Sequence, residues 1–345
     1  MDIYKIKRLV YLSPIGKSRL INLYRFNSRK VFIHSVIKRF GREKDTEKLM
    51  PLIKEAYVKY RWNIEEFFLF GYEQLTDEQR KEFCPEYDHN AFCLKVNNWA
   101  TARIFRDKRA TYLKFKDFFN RSCVYVSNSS EYNSDECQEF IKNNPVFLLK
   151  PIGTCCGRGI QKLTNNAPNL QETILSVAVM GGVILEELIE QVPEMAVLHP
   201  ESVNTLRIPT INYGDHIEVF HPFMRMGMGK AFVDNAGAGG IGATIDPQTG
   251  KVMNVGDELG RSYTHHPDSG VDLTNFTVPR WVDAVETAKK LASMVPDVRY
   301  CGWDLALTKD GWVMIEGNED GQFVFQYFDH KGCSKEIMKV LKDFN

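Results

Sequence analysis

Residues 298–318 constrain this chain more than any other stretch. Residues 299–308 and 312–318 alternate as strands, and Lys309-Asp310-Gly311 offers a short turn with glycine where a positive φ is wanted. Side chains alternate faces along a strand, so Glu316 and Asn318 share one. Folding the hairpin about Asp310 sets Asp304 opposite Glu316 on that face. Facing side chains lie about 5 Å apart at Cβ, and two acids there repel. The spacing therefore predicts a positive group between them. Asp304, Glu316 and Asn318 are all oxygen donors and suit Mg²⁺ bridging substrate phosphates. A Lys or Arg ion pair is the other reading.

At 345 residues the chain can bury a full core in two or three units. Its net charge of zero makes the whole chain a poor nucleic-acid binder. The eight cysteines form no C-x-x-C pair and have no zinc-like spacing, and no secretory leader is evident. This pattern predicts reduced thiols and a cytoplasmic protein. No apolar run reaches the roughly 18 residues of a membrane span.

The charge is unevenly placed. Residues 1–44 hold twelve Lys and Arg against Asp2 and Glu43, which makes this segment +10 and the remainder −10. Apolar residues recur between those charges at helical spacing. Such a segment either lies peripherally on an anionic membrane surface or forms a solvated basic face packed on the acidic remainder. Residues 46–60 read as a helix, and Thr76-Asp77-Glu78-Gln79 is a capping-box pattern that starts another. A helical domain over 1–100 is expected, with nothing catalytic in it.

Residues 101–119 are helical in period, with Asp107-Lys108 as a surface ion pair within them. The run 146–150 is a buried-type strand ending in Lys150. Beyond it lie Gly153, Cys155-Cys156, Gly157, Arg158 and Gly159, then a second strand from Ile160. Three glycines let backbone N–H groups approach an anion, and Lys150 and Arg158 add charge. No Gly-Lys-Ser/Thr follows, so this is no Walker loop; it reads as a flap laid over phosphates, or as an ordinary glycine-rich hairpin. Residues 183–189 form a strand closing on Glu186, Glu187, Leu188 and Ile189, which offers an adenine an apolar slot, backbone groups and an acid. Residues 205–212 and 216–224 pair as a hairpin. Arg207 and Arg225 are embedded in apolar strand sequence, and each should meet a carboxylate or phosphate. The glycine-rich run 226–242 carries Lys230, Asp234 and Asn235 as its polar content. His265-His266, with Asp257, Glu258 and Asp268 near in sequence, is a poorly spaced zinc set.

These motifs stand in the order of the ATP-grasp superfamily, which the chain resembles over roughly residues 100–325. Asp107-Lys108 comes first, then Leu149-Lys150-Pro151 with its glycine flap, then Glu186 to Ile189, then Asp304 with Glu316-Gly317-Asn318. The resemblance implies an α+β fold in which two subdomains, 101–185 and 186–345, clasp ATP. It implies that Lys108 and Lys150 contact ATP phosphates, that Glu186, Glu187, Leu188 and Ile189 form the adenine hinge, and that Asp304, Glu316 and Asn318 hold Mg²⁺. Thr205-Leu206-Arg207 sits where the glutamate-ligase branch has Asp-x-Arg, so Thr205 departs from that pattern. Phe223-Met224-Arg225, with Asn235 beyond it, is similar to the same branch. Pro200 to Arg207, His265-His266-Pro267-Asp268 and Gly302-Trp303-Asp304 resemble the narrower sugar-transfer-associated ATP-grasp group.

The chemistry implied is ATP-dependent joining of a carboxylate to an amine through an acyl-phosphate. Lys150, Arg158 and Arg207 would neutralise the transferring phosphoryl, and Arg225 would hold the acyl-phosphate or the acceptor carboxylate. By analogy the acceptor is a small-molecule or cell-surface glycan carboxylate and the donor an amino acid or amine. The alternatives are a kinase acting on a hydroxyl and a non-catalytic ATP-binding scaffold.

Overall fold

A computed structural model describes residues 3–14, 16–154, 158–232, 234 and 239–344, with side chains from residue 5 onward. Helices fill the chain as far as Phe119. The first three are α1 (Ile3–Leu12), α2 (Arg19–Ser28) and α3 (Lys30–Arg39). Residues between Phe26 and Phe83 make a core of their own, with Trp62 packed edge-on to Phe70, Tyr72 and Phe83. The Thr76 capping box forms as its sequence requires, but the helix it starts is a single turn, Asp77–Arg80.

Residues 101–119 are not one helix. A 3₁₀ turn, Arg103–Arg106, precedes the α-helix Lys108–Phe119. Asp107 is extended and caps that helix, accepting from the N–H groups of Arg109 (2.9 Å) and Ala110 (3.1 Å). The expected surface ion pair with Lys108 is thus corrected to a cap, because an N-terminal carboxylate satisfies otherwise unpaired helix donors.

Two antiparallel sheets follow. The first contains β1 (Cys123–Val126), β2 (Val146–Pro151), β3 (Gln161–Thr164) and β4 (Val183–Glu187) in the order β1-β4-β2-β3. Helices Asp135–Asn143 and Leu170–Ala178 cover it and share its core. The second contains β5 (Thr205–Asn212), β6 (Ile217–Val219), β7 (Phe223–Met226), β8 (Ile241–Ile245), β9 (Val252–Gly256), β10 (Tyr300–Thr308) and β11 (Gly311–Asn318). Its order is β11-β10-β5-β7-β8-β9, with β6 on β5. The strand expected over 216–224 is broken into β6 and β7 by His221, at φ +47°, followed by Pro222.

The helical segment docks on the β10–β11 hairpin through buried Asn97. Its amide donates to the carbonyls of Tyr300 and Glu319, both at 2.9 Å, and its oxygen accepts from the Tyr300 N–H at 2.8 Å. Buried His89 packs edge-on to Phe323 there, at 4.4 Å between centroids. Burial pushes the His89 imidazole down to about 4 from its ordinary 6.5. The unfolded ring takes up a proton between those values while the folded ring does not. Stability is therefore full above pH 6.5 and falls as pH drops toward 4, by roughly 3 kcal/mol from this ring alone. Urea midpoints at pH 7 and pH 5 should show the loss, and His89→Gln should flatten it; an unchanged slope in that variant rules His89 out as its source.

Candidate active site

The site is built on one row of side chains across three neighbouring strands. Asp304 on β10 lies opposite Glu316 on β11 and opposite Arg207 on β5, so all three share a face. The expected pairing of Asp304 with Glu316 forms, but not through the expected three-residue turn: Thr308 pairs with Gly311, and a bulge between Asp304 and Leu305 shifts the register by one residue. Arg207 engages Asp304 through both Nε and Nη2, the latter at 2.9 Å. Arg225 on β7 adds a second cation, with Nη2 2.6 Å from Asp304 Oδ2. Both embedded arginines therefore meet the same buried carboxylate, the ion-pair reading of the sequence.

The small residues around this row have a physical role. A Cβ on Gly302 would meet Arg207 Cδ at 2.7 Å, so only glycine leaves room for the guanidinium stem. Trp303 points the other way, fully buried, and donates from Nε1 to Thr210 Oγ1 at 2.9 Å. The run Gly302-Trp303-Asp304 thereby divides its work into clearance, anchor and charge.

Burial alone would raise the Asp304 pKa, but the charges of Arg207 and Arg225 outweigh it and hold the acid down to about 2. Glu316 behaves oppositely. It is open to solvent yet densely ringed by protein, and desolvation followed by the Asp304 charge raises its pKa above the usual range. Asn318 Nδ2 lies 3.5 Å from Asp304 Oδ2 and 3.4 Å from Glu316 Oε1. Two carboxylates and a carboxamide thus converge, with the Asn318 amide nitrogen turned toward the acids; a flip of that amide would bring its oxygen beside theirs, a donor set that fits a hard divalent cation. Glu316 and Asn318 are the open members, since arginines already engage both oxygens of Asp304.

Asp234, named in the sequence only as loop polarity, belongs to this site. Its Oδ2 accepts from the Thr205 hydroxyl and from the Thr205 N–H at 3.0 Å, and lies 3.8 Å from Arg225 Nε. A loop carboxylate therefore stands beside Thr205, where the related pattern has an acid in the strand. Desolvation raises the Asp234 pKa, while Arg225 and Thr205 oppose the rise.

The other half of the site lies on the first sheet. Lys150 Nζ is 2.6 Å from Glu186 Oε1, and Arg121 Nε is 2.9 Å from the same oxygen. Burial would raise the Glu186 pKa, but Arg121 and then Lys150 hold it low. Glu187 Oε2 accepts from the Ser122 N–H at 2.9 Å and its hydroxyl at 2.8 Å. Leu188 and Ile189 leave β4 half-buried toward the second sheet, where the Val192 N–H donates to Leu307 O at 3.1 Å. Lys108 Nζ donates to the carbonyls of Pro151 (3.0 Å), Ile152 (3.2 Å) and Thr154 (2.6 Å), fastening the start of the glycine loop. Among the described residues no atom would lie within 4 Å of a Cβ on Gly153, and Gly159, at φ +76°, lies against Pro151. Arg158 is exposed. Gly157, Cys155-Cys156 and Asn235 lie outside the described residues.

Arg121 escapes a reading of the sequence, because β1 is only four residues long and hides between Asn120 and Ser127. The apolar run Cys123-Val-Tyr-Val is the signal that points to it. Its guanidinium joins the two halves. Nε holds Glu186 on β4, while Nη1 donates to Met314 O on β11 at 2.7 Å. Met314 is two residues, about 7 Å of strand, from Glu316. Arg121 therefore ties the strand that carries Glu186 to the strand that carries Glu316.

His266 is no metal ligand in this arrangement: its Nε2 bonds Gly227 O at 2.9 Å. Among the described residues no three His, Cys, Asp or Glu side chains are grouped to hold a metal.

Two antiparallel sheets that meet at a hinge, one with a glycine flap and the other with paired acids, define an ATP-grasp fold. The chain belongs to the sugar-transfer associated ATP-grasp family, whose profile matches residues 87–342. Among solved structures it is similar to the ATP-grasp ligase PsnB complexed with minimal precursor, at 11% identity and TM-score 0.44, over 75% of this chain and 69% of that one. It is also similar to the VanG D-Ala:D-Ser ligase from Enterococcus faecalis, at 13% identity and TM-score 0.48, over 74% and 68%. The ADP complex of purK, N5-carboxyaminoimidazole ribonucleotide synthetase, is similar at 12% and 0.41, over 68% and 47%. No curated protein matches.

Proposed function

We propose that this protein is an ATP-dependent carboxylate–amine ligase acting through an acyl-phosphate. The observation that carries the reading is buried Arg207 and half-buried Arg225 converging on Asp304, with Glu316 beside them. The site concentrates two fixed cations and an open acid where phosphoryl charge would develop. Glu316 and Asn318, with Asp304 behind them, would hold Mg²⁺, which supplies charge neutralisation on the phosphates. Lys150, with Lys108 and Arg158 around the flap, would bind the nucleotide phosphates. Glu186 to Ile189 would hold the adenine at the hinge. Arg225, on the solvent side of the arginine pair, would hold the acceptor carboxylate and then its acyl-phosphate; an amine attacks the acyl carbon and phosphate leaves with the C–O bonding pair. The sugar-transfer association in the family's description favours a glycan or glycan precursor as the source of the acceptor carboxylate, and an amino acid or amine as donor is proposed by analogy.

The test is incubation with ATP, magnesium, uronic-acid acceptors and an amine pool, with mass analysis of products. An amide together with ADP is the expected result, and a stable phosphate ester would make the protein a kinase. Glu316→Gln keeps the side-chain shape and should lower magnesium-dependent turnover about a hundredfold or more. Undiminished turnover in that variant would remove Glu316 from the metal site.

A further inference from the structure

The basic N-terminal segment has two faces. One packs on the acidic remainder: Lys7 lies 3.9 Å from Asp320, Arg39 is 3.2 Å from Glu65, and Arg42 is 3.0 Å from Glu73. The other face is of a different character. Of the fifteen large apolar side chains exposed among the described residues, seven lie between positions 6 and 32. Leu20 is 79% exposed and Val31 88%. On α1, Ile6, Leu9 and Val10 stand at i, i+3 and i+4, one helical stripe, and that stripe points to solvent. On α2, Leu20 and Tyr24 do the same, while Asn22 and Phe26 face inward. A helix of a soluble protein ordinarily buries its apolar stripe. Here α2 and α3 bury one set of apolar residues and display another, while α1 half-buries Tyr11 and Leu12 and displays Ile6, Leu9 and Val10.

Cations stand beside the displayed set. Lys5, Lys17, Arg19, Lys30 and Lys38 are exposed, and none of them enters an ion pair among the described residues. Exposed apolar stripes gathered in one short segment of the chain mark an interaction site. Apolar stripes rimmed by unpaired Lys and Arg are the pattern of a helix lying in the headgroup region of an anionic bilayer. Aliphatic side chains such as Leu9, Leu20 and Val31 gain from acyl chains and gain little from a nucleic-acid backbone.

We infer that α1, α2 and α3 form a peripheral docking surface for an anionic phospholipid bilayer. Through Lys7, on its inward side, α1 is tied to Asp320, two residues beyond Asn318, so the helix that displays Ile6, Leu9 and Val10 lies on the part of the chain that follows the strand of the candidate metal site. This deepens the proposed function by favouring amphiphilic, lipid-linked acceptors, but the docking itself is read without any turnover.

The experiment is flotation of the full chain with phosphatidylglycerol-rich vesicles and with pure phosphatidylcholine vesicles, at low and high salt. Uptake by the anionic vesicles alone, reversed by salt, is expected. Each cation removed should weaken uptake about fivefold, so the Lys17→Ala, Arg19→Ala, Lys30→Ala triple variant should lose about a hundredfold. Leu20→Glu with Val31→Glu should abolish it, and ATP binding should be unchanged in every variant because no altered residue belongs to the candidate active site. Equal uptake by both vesicle types, or uptake by neither, overturns the inference. So does a concentration-dependent dimer dispersed by Leu20→Glu, or capture by duplex DNA, where lipid uptake is missing. Loss of ATP binding with lipid uptake retained would instead count against the ligase reading and leave the docking surface standing.

Discussion

Asp304→Ala should abolish ATP-dependent product formation and cost roughly 3–5 kcal/mol of stability, because it strands the buried Arg207 guanidinium and takes a partner from half-buried Arg225. Both cations converge on this fully buried acid, and among the described residues no other carboxylate pairs with Arg207. Asp304→Asn keeps the shape and loses the charge, so it should recover part of the stability and none of the turnover. The pH dependence has a definite sign. The folded carboxyl titrates at about 2 against an ordinary 3.8, so its contribution is present above pH 3.8 and is lost as pH falls toward 2. That contribution is about 2 kcal/mol, and Asp304→Asn should flatten this acid limb. Urea denaturation of the three chains from pH 2 to pH 7 measures all of it. An Asp304→Ala chain as stable as the parent would mean that the arginines find other partners, and the proposed geometry would fall.

The second large effect is expected at Arg121. Arg121→Ala leaves Glu186 to Lys150 alone and cuts the bond to Met314 O, so about 3 kcal/mol should be lost. Arg121 is a positioning residue: it sets the first sheet against β11. Its removal should raise the KM for ATP tenfold or more, with a smaller effect on kcat once nucleotide is saturating. Arg121→Lys should restore the charge beside Glu186 but not the bond to Met314. Calorimetric titration of nucleotide into each variant discriminates the two roles. ATP affinity within twofold of the parent in Arg121→Ala would show that the strut is structural only.

Much of this arrangement is legible in short stretches of sequence. In the hairpin over 298–318, alternation marks both strands, but the turn pairs Thr308 with Gly311, and only a bulge between Asp304 and Leu305 brings Asp304 opposite Glu316. The strand–glycine loop–strand unit is equally local, and β2 and β3 pair around it. Asp107 misleads because a capping acid and a surface ion-pair acid look alike in a periodic window; only backbone geometry separates them. β1 escapes because four apolar residues are too short a run to register a period.

By itself the sequence determined the order of the motifs, the face shared by Glu316 and Asn318, and the charge excess of the first 44 residues. These are properties of neighbours along the chain. The tertiary structure alone decided that Arg207 and Arg225 share one acid, that Asp234 stands beside Thr205, and that Arg121 joins the sheets. Arg207 is 97 residues from Asp304 in the chain. Such partners are chosen by strand order and by the cost of burying an unpaired charge, and neither is written in any local stretch.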